Sequence, residues 1–228
     1  MQPMATDVAN GKIPHDDIRH CPVHINYRLH GSVPSCELER LQKQRQRNLD
    51  TIRAKLIGLP PEVYNREFNR YAGQINARYE LAVDDLLDGA VSGPLYLQKE
   101  DIADLVMQSW LELAQQRKVV VYGVCVMGNH VHAVIEAPPH VDVLKSSKLL
   151  QSHKSFTARL ANRILSTTGK PFWEKDYFDR RIRQGKFMRV MWYVVNNPVK
   201  AGLVKDWEEW PHTYIHPEYL PMFTGRVD

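Results

Sequence analysis

An α+β fold, an antiparallel sheet with helices on one face, is what the sequence predicts, on three observations. Residues 119–136 hold two apolar, β-branched runs separated by Gly128-Asn129, the pattern of a β-hairpin. Residues 23–30 alternate strictly, Val23, Ile25, Tyr27 and Leu29 against His24, Asn26, Arg28 and His30, the pattern of a half-buried strand. With one insertion set aside, the order of patterns is strand, helix, strand, strand, helix, strand, helix. Two β-α-β halves in that order give a ferredoxin-like sheet, whose centre joins strands from different halves. The second strand of the hairpin is expected there, its polar face exposed or under the last helix.

Each element follows in turn. Residues 1–20 read as irregular, with Gly11 and Pro14. After the alternating strand, helical spacing runs over Glu37–Ile57 and Glu62–Leu87, with Pro60-Pro61 between. The second of these repeats Tyr64, Phe68, Tyr71, Ile75, Tyr79, Ala82 and Leu86 at three- and four-residue intervals, the stripe of a packed helix. This is a helical hairpin inserted at about 36–92 into a single domain of residues 1–228. Glu100–Gln115 is amphipathic, with Ile102, Leu105, Val106, Trp110 and Leu113 inward. The hairpin ends at Pro138-Pro139. Leu144–Leu165 is a basic amphipathic helix broken by Gly169-Lys170-Pro171. Phe172–Arg183 reads as a strand with a loop, and Gln184–Asn196 as a last helix, stopped at Asn197-Pro198 because a residue before proline disfavours the α region.

Composition narrows the function classes. Apolar and charged fractions are those of a globular chain. No apolar run reaches the roughly 20 residues that span a bilayer. Met1–Asn10 lacks the basic and apolar segments of a secretion signal, and Cys21, Cys36 and Cys125 form no pattern, so the expected setting is the cytoplasm. Charge is unevenly spread: residues 145–205 carry fourteen Lys and Arg against three acids, net +11, and the remainder −7. Aromatics interleave that basic segment (Phe156, Phe172, Trp173, Tyr177, Phe178). Such a surface suits phosphate, and nucleic acid is the favoured partner over a merely solvated helix face.

The chemistry centres on His130 and His132. Side chains alternate along a strand, so both imidazoles share one face and form half of a divalent-metal site. Tyr193 and Asn197 stand four apart and share a helical face. If the two faces meet, two imidazole nitrogens and an amide oxygen can hold a metal, leaving positions open for a phosphate. The phenol can then attack phosphorus, given activation of a group whose ordinary pKa is about 10. Singly, each residue has a plainer structural reading. Glu136, on the same strand face, is a further ligand or an edge charge. His15, His20, Cys21 and His24 match no standard zinc spacing, and no zinc is expected there.

Several separated motifs carry a resemblance: Met127-Gly128-Asn129-His130-Val131-His132, Lys170-Pro171-Phe172-Trp173, Tyr177 through Arg183, and Tyr193-Val194-Val195-Asn196-Asn197-Pro198 through Val204. In this order they resemble the REP-associated tyrosine transposases, of the HUH (His-hydrophobic-His) single-tyrosine transposase superfamily, from about Ile102 to Pro211. The family often has proline where Gly128 stands, and the inserted hairpin lengthens its usual first connection. The resemblance implies His130 and His132 as the paired metal histidines, Asn197 as the third ligand, Tyr193 as the nucleophile, and Mg2+ or Mn2+ as the cofactor. It implies single-stranded DNA bearing palindromic hairpins as substrate, nicked and transferred through a 5′-phosphotyrosine. Lys145, Lys148, Lys154, Arg159, Arg180, Arg181 and Arg183 become the expected DNA contacts. A homodimer sharing its sites is the alternative to a self-contained monomer. A domesticated hairpin-binding protein without cleavage is the alternative function.

Overall fold

The computed structural model describes His15, residues 17–90 and residues 93–225. The chain separates into two compact units, Val33–Gly93 being the core of one, and Asp16–Ser32 with Pro94–Asp228 forming the other. The second unit holds the sheet. Its strands are β1 (Val23–Arg28), β2 (Val120–Val126), β3 (His130–Glu136), β4 (Phe178–Arg181) and β5 (Thr213–Ile215). They run antiparallel in the order β4-β1-β3-β2-β5. The histidine strand β3 is therefore central, as its pattern predicts. β5 has only three residues, too few to show an alternation in sequence.

The β2–β3 turn closes with the Met127 N–H donating to the His130 carbonyl at 2.9 Å. A Cβ on Gly128 would lie 3.1 Å from Cγ of Gln98, so the residue is small because this turn packs on the 3-10 turn Tyr96–Gln98. A second glycine matters for the site. β2 is irregular between Val121 and Gly123, and a Cβ on Gly123 would stand 2.9 Å from Cε of Met191. That small residue lets the helix carrying Tyr193 approach the sheet.

Helices α3 (Glu100–Gln115) and α4 (Ser146–Ile164) cover one face. Ile25, Tyr27, Val124, Val131 and Ile135 pack there against Trp110 and Leu150. The Trp110 indole N–H donates to the Tyr27 hydroxyl at 3.0 Å. That hydroxyl meets His153 Nε2 at 2.7 Å, and His153 Nδ1 meets Ser109 Oγ at 2.9 Å. A buried polar chain this complete fixes one packing of α3 and α4 on the sheet. Burial, helped by the Lys154 charge, pushes His153 down to about 3.

The opposite face carries the shorter α5 (Phe187–Val195). Met191, Val194 and Val195 pack on Cys125, Met127, Val134 and Ile215. The face of β1 that reads as solvent-facing is consequently interior: His24 is 4 % and Asn26 1 % exposed. Alternation correctly separates the two faces, but the polar one serves the site rather than water. After Asn196 the chain does not stop at Asn197-Pro198. It enters another helical turn, α6 (Asn197–Lys200), with Pro198 inside its first turn, where proline's missing N–H goes unused.

The other unit is the helical hairpin, α1 (Ser35–Leu56) and α2 (Pro61–Asp88). Leu49, Leu56, Phe68, Ala72 and Ile75 form its own apolar seam. Arg45 Nε donates to Asn76 Oδ1 at 2.7 Å, and the Arg53 guanidinium lies over the Phe68 ring at 5.4 Å. The aromatic stripe is packing surface, as its spacing predicts. A last short helix, α7 (Pro221–Thr224), returns to the sheet unit. Among the described residues no helix is long and apolar enough to cross a membrane.

Candidate active site

β3 puts His130 and His132 on the α5 face, both fully buried. Their Nε2 atoms stand 3.0 Å apart. His130 Nδ1 lies 2.7 Å from Asn129 Oδ1. The amide oxygen can only accept, so Nδ1 carries the proton and Nε2 presents its lone pair. His132 is held from both sides. Its Nδ1 meets His24 Nε2 at 3.0 Å, and its Nε2 meets Asn197 Nδ2 at 3.2 Å. An amide N–H donating to Nε2 requires the His132 proton on Nδ1, given to His24. Both rings then turn acceptor nitrogens to the same point. Burial, with the Lys200 charge added, pushes His132 down to about 3, so the ring is neutral at physiological pH.

His24 stacks on His132, ring centroids 5.2 Å apart and planes 11° from parallel. β1 places it there because Asn26 pairs with His132 and His24 with Val134 in the ladder, so these side chains share one face.

Tyr193 closes the other side. Its ring meets His132 edge-on at 5.6 Å and His24 at 6.0 Å. The Lys200 ammonium lies 5.6 Å from the Tyr193 ring centroid. Asn197 is fully buried, and its Oδ1 has no hydrogen-bond partner. A buried amide oxygen in that state is rare, and a half-turn of the amide aims it at His132. Two ligand atoms at right angles about a cation, each about 2.1 Å away, stand about 3.0 Å apart. The donor set of His130, His132 and Asn197 therefore fits a divalent cation.

With that geometry in view, comparison with known proteins is decisive. Residues 96–197 match the family described as Transposase IS200 like. Over that stretch the chain is similar to the IS200-like transposases. The matched stretch ends at Asn197 and contains His130, His132 and Tyr193. A solved structure, of a REP-associated tyrosine transposase bound to a REP hairpin, is similar with a TM-score of 0.53 at 13 % identity. The similarity covers 93 % of this chain and 87 % of that one, and it carries the fold. No curated protein matches this chain.

The basic residues expected along the DNA fall into different surroundings. Arg180 pairs with His24 in the ladder and Arg181 with Val23, so Arg180 is on the histidine face and Arg181 on the other. Both are exposed, as is Arg183. Lys148 and Arg159 are exposed on α4. Lys145 pairs with Asp17 at 2.6 Å. Lys154 turns inward, its ammonium donating to the carbonyls of Glu174 at 2.5 Å and Lys175 at 3.0 Å. Glu136 accepts a hydrogen bond from the Tyr122 hydroxyl at 2.9 Å rather than joining the histidines. Cys21 donates to the Ile182 carbonyl. His24, Asn129 and Lys200 are the site residues that motif reading passed over. The strict alternation of β1 was the available signal for His24, since it sets an imidazole on the polar side.

Proposed function

We propose that this protein is a transposase that nicks single-stranded DNA carrying palindromic hairpins and transfers the cut strand through a covalent phosphotyrosine on Tyr193. One observation supports the reading above the others: His132 is hydrogen-bonded to Asn197 while the Tyr193 ring lies against it. Metal donors and a half-buried nucleophile thus share one corner. The hairpin substrate is suggested by the similar structure, which is of a protein bound to a REP hairpin.

His130, His132 and Asn197 would hold Mg2+ or Mn2+. The ion's chemistry, when bound, is to polarise the phosphoryl oxygens of the scissile phosphate. The protein's own groups supply the rest. Asn129 and His24 fix the ring nitrogens of His130 and His132, and α5 shields the histidine face from water. The Tyr193 oxygen loses its proton and bonds to phosphorus. The bond from phosphorus to the 3′ oxygen breaks, and that oxygen leaves as a 3′ hydroxyl after taking a proton. The DNA remains on the protein as a 5′-phosphotyrosine, keeping a phosphodiester that a second 3′ hydroxyl can attack. Lys148, Arg159, Arg180, Arg181 and Arg183 would contact phosphates of the bound DNA.

The test is a denaturing gel after incubation with single-stranded hairpin DNA and Mn2+ or Mg2+. A slow-migrating protein–DNA adduct that disappears in His130→Ala is expected. Hairpin binding without any adduct would instead make the protein a hairpin-binding module.

A further inference from the structure

Away from the histidines, on the α3–α4 side of the sheet, a cleft of about 510 Å3 opens between the end of α3 and the start of α4. Three separate stretches turn basic side chains toward it, four of them Lys or Arg. Arg117 and Lys118 come from the α3–β2 connection, His140 from the connection after β3, and Lys145 and Lys148 from the start of α4. All five are exposed. Lys145 is held by Asp17; among the described residues Arg117, Lys118 and Lys148 make no ion pair. Among the described residues that line the cleft there is no carboxylate, Asp17 reaching it only through Lys145. Arg117 takes a left-handed backbone, φ 53°, a conformation few non-glycine residues hold. α4 runs nineteen residues from Ser146, so its positive dipole end adds to the field here.

We propose that this cleft grips the phosphate backbone of a double-stranded DNA stem, leaving the unpaired strand to the histidine face. The inference rests on the DNA-binding reading above. Apart from His140, the described residues of the lining carry no ring on which an unpaired base could stack; Leu113, Val141 and Leu149 are among its walls. Cations without stacking surfaces position a backbone and read no base. Location separates the two DNA regions. From His132 to Glu136 the strand advances about 14 Å at about 3.4 Å per residue, and the cleft lies beyond that end. Since phosphates along one strand of a duplex recur about every 3.4 Å, a stem must extend roughly four base pairs or more from the site before it reaches Arg117 and Lys118.

The test uses the full-length protein in EDTA and compares binding of two hairpins that share loop and single-stranded flank, with stems of 3 and 12 base pairs. Wild-type protein is expected to hold the long stem about tenfold or more tightly. In Arg117→Ala/Lys118→Ala that preference falls toward one, and the salt slope for the long stem drops by about 2, as for two lost phosphate contacts. Arg117→Glu/Lys118→Glu deepens the loss, while a circular dichroism melt matching wild type shows the fold intact. A preference for the long stem that survives in both variants overturns the cleft while leaving the strand-transfer reading standing. Equal loss on both hairpins likewise overturns it, since the cations would then serve any strand. Wild-type protein that binds neither hairpin overturns both readings.

Discussion

Replacing His24 by Phe separates what this residue does by packing from what it does by hydrogen bonding. A phenyl ring keeps the stack on His132 and the edge contact with Tyr193. It removes the acceptor that takes the His132 Nδ1 proton at 3.0 Å. That proton then has no partner on its own side, in a ring with no exposed surface, and leaving it unpaired costs about 1–3 kcal/mol. The ring escapes the cost by moving the proton to Nε2, where His130 Nε2 waits at 3.0 Å. A metal would have to reverse that shift before binding. Loss of such an outer partner typically weakens metal binding 10- to 100-fold, or about 1.4–2.7 kcal/mol. Titration calorimetry with Mn2+ measures it directly. His24→Phe should bind 10- to 100-fold more weakly than wild type. His24→Gln, whose amide oxygen can reach the place of Nε2, should recover much of the difference. Wild-type affinity in the Phe variant, or equal loss in both variants, would refute the hydrogen-bond argument.

Three further outcomes follow from the polar core and the nucleophile helix. His153 has a folded pKa near 3 against about 6.5 unfolded, so its contribution is complete above 6.5 and is lost as pH falls toward 3; chemical denaturation should show about 2 kcal/mol less stability at pH 5 than at pH 7 from this residue, and a slope left unchanged by His153→Gln would contradict the assignment. Tyr27→Phe strips the hydroxyl from both the Trp110 N–H and His153, and a loss of about 1–3 kcal/mol in the same assay is expected, whereas no loss would mean the chain is not satisfied as drawn. Gly123→Val forces β2 against Met191 and should lower both adduct formation and Mn2+ binding by moving α5 and the Asn197 that follows it; unaltered adduct yield would show that α5 does not need that close approach.

Much of this could be read from the chain because the relevant spacings are short. The Gly128-Asn129 break between β-branched runs specified the β2–β3 hairpin, and period-two alternation put His130 and His132 on one face. Four-residue spacing paired Tyr193 with Asn197, although the helix in fact breaks at Asn196 and restarts. What escaped depends on contacts distant in sequence. His24 and His132 are joined across 108 positions, and nothing within either strand announces the other. The interior character of the β1 polar face was hidden for the same reason: alternation tells which residues share a side, not what covers it. Lys154 counted as a surface charge until Glu174 and Lys175, about twenty residues on, took its ammonium. β5 offered three residues and no pattern.

The central claim is that Tyr193 attacks the DNA, and peptide mapping of the adduct tests it most directly. Protein incubated with a radiolabelled single-stranded hairpin and Mn2+ is digested, and the DNA-bearing peptide is identified by mass spectrometry. The predicted result is a single modified peptide containing Tyr193, linked to a 5′ phosphate and absent from Tyr193→Phe. DNA attached to another residue, or an adduct that persists in Tyr193→Phe, would contradict it.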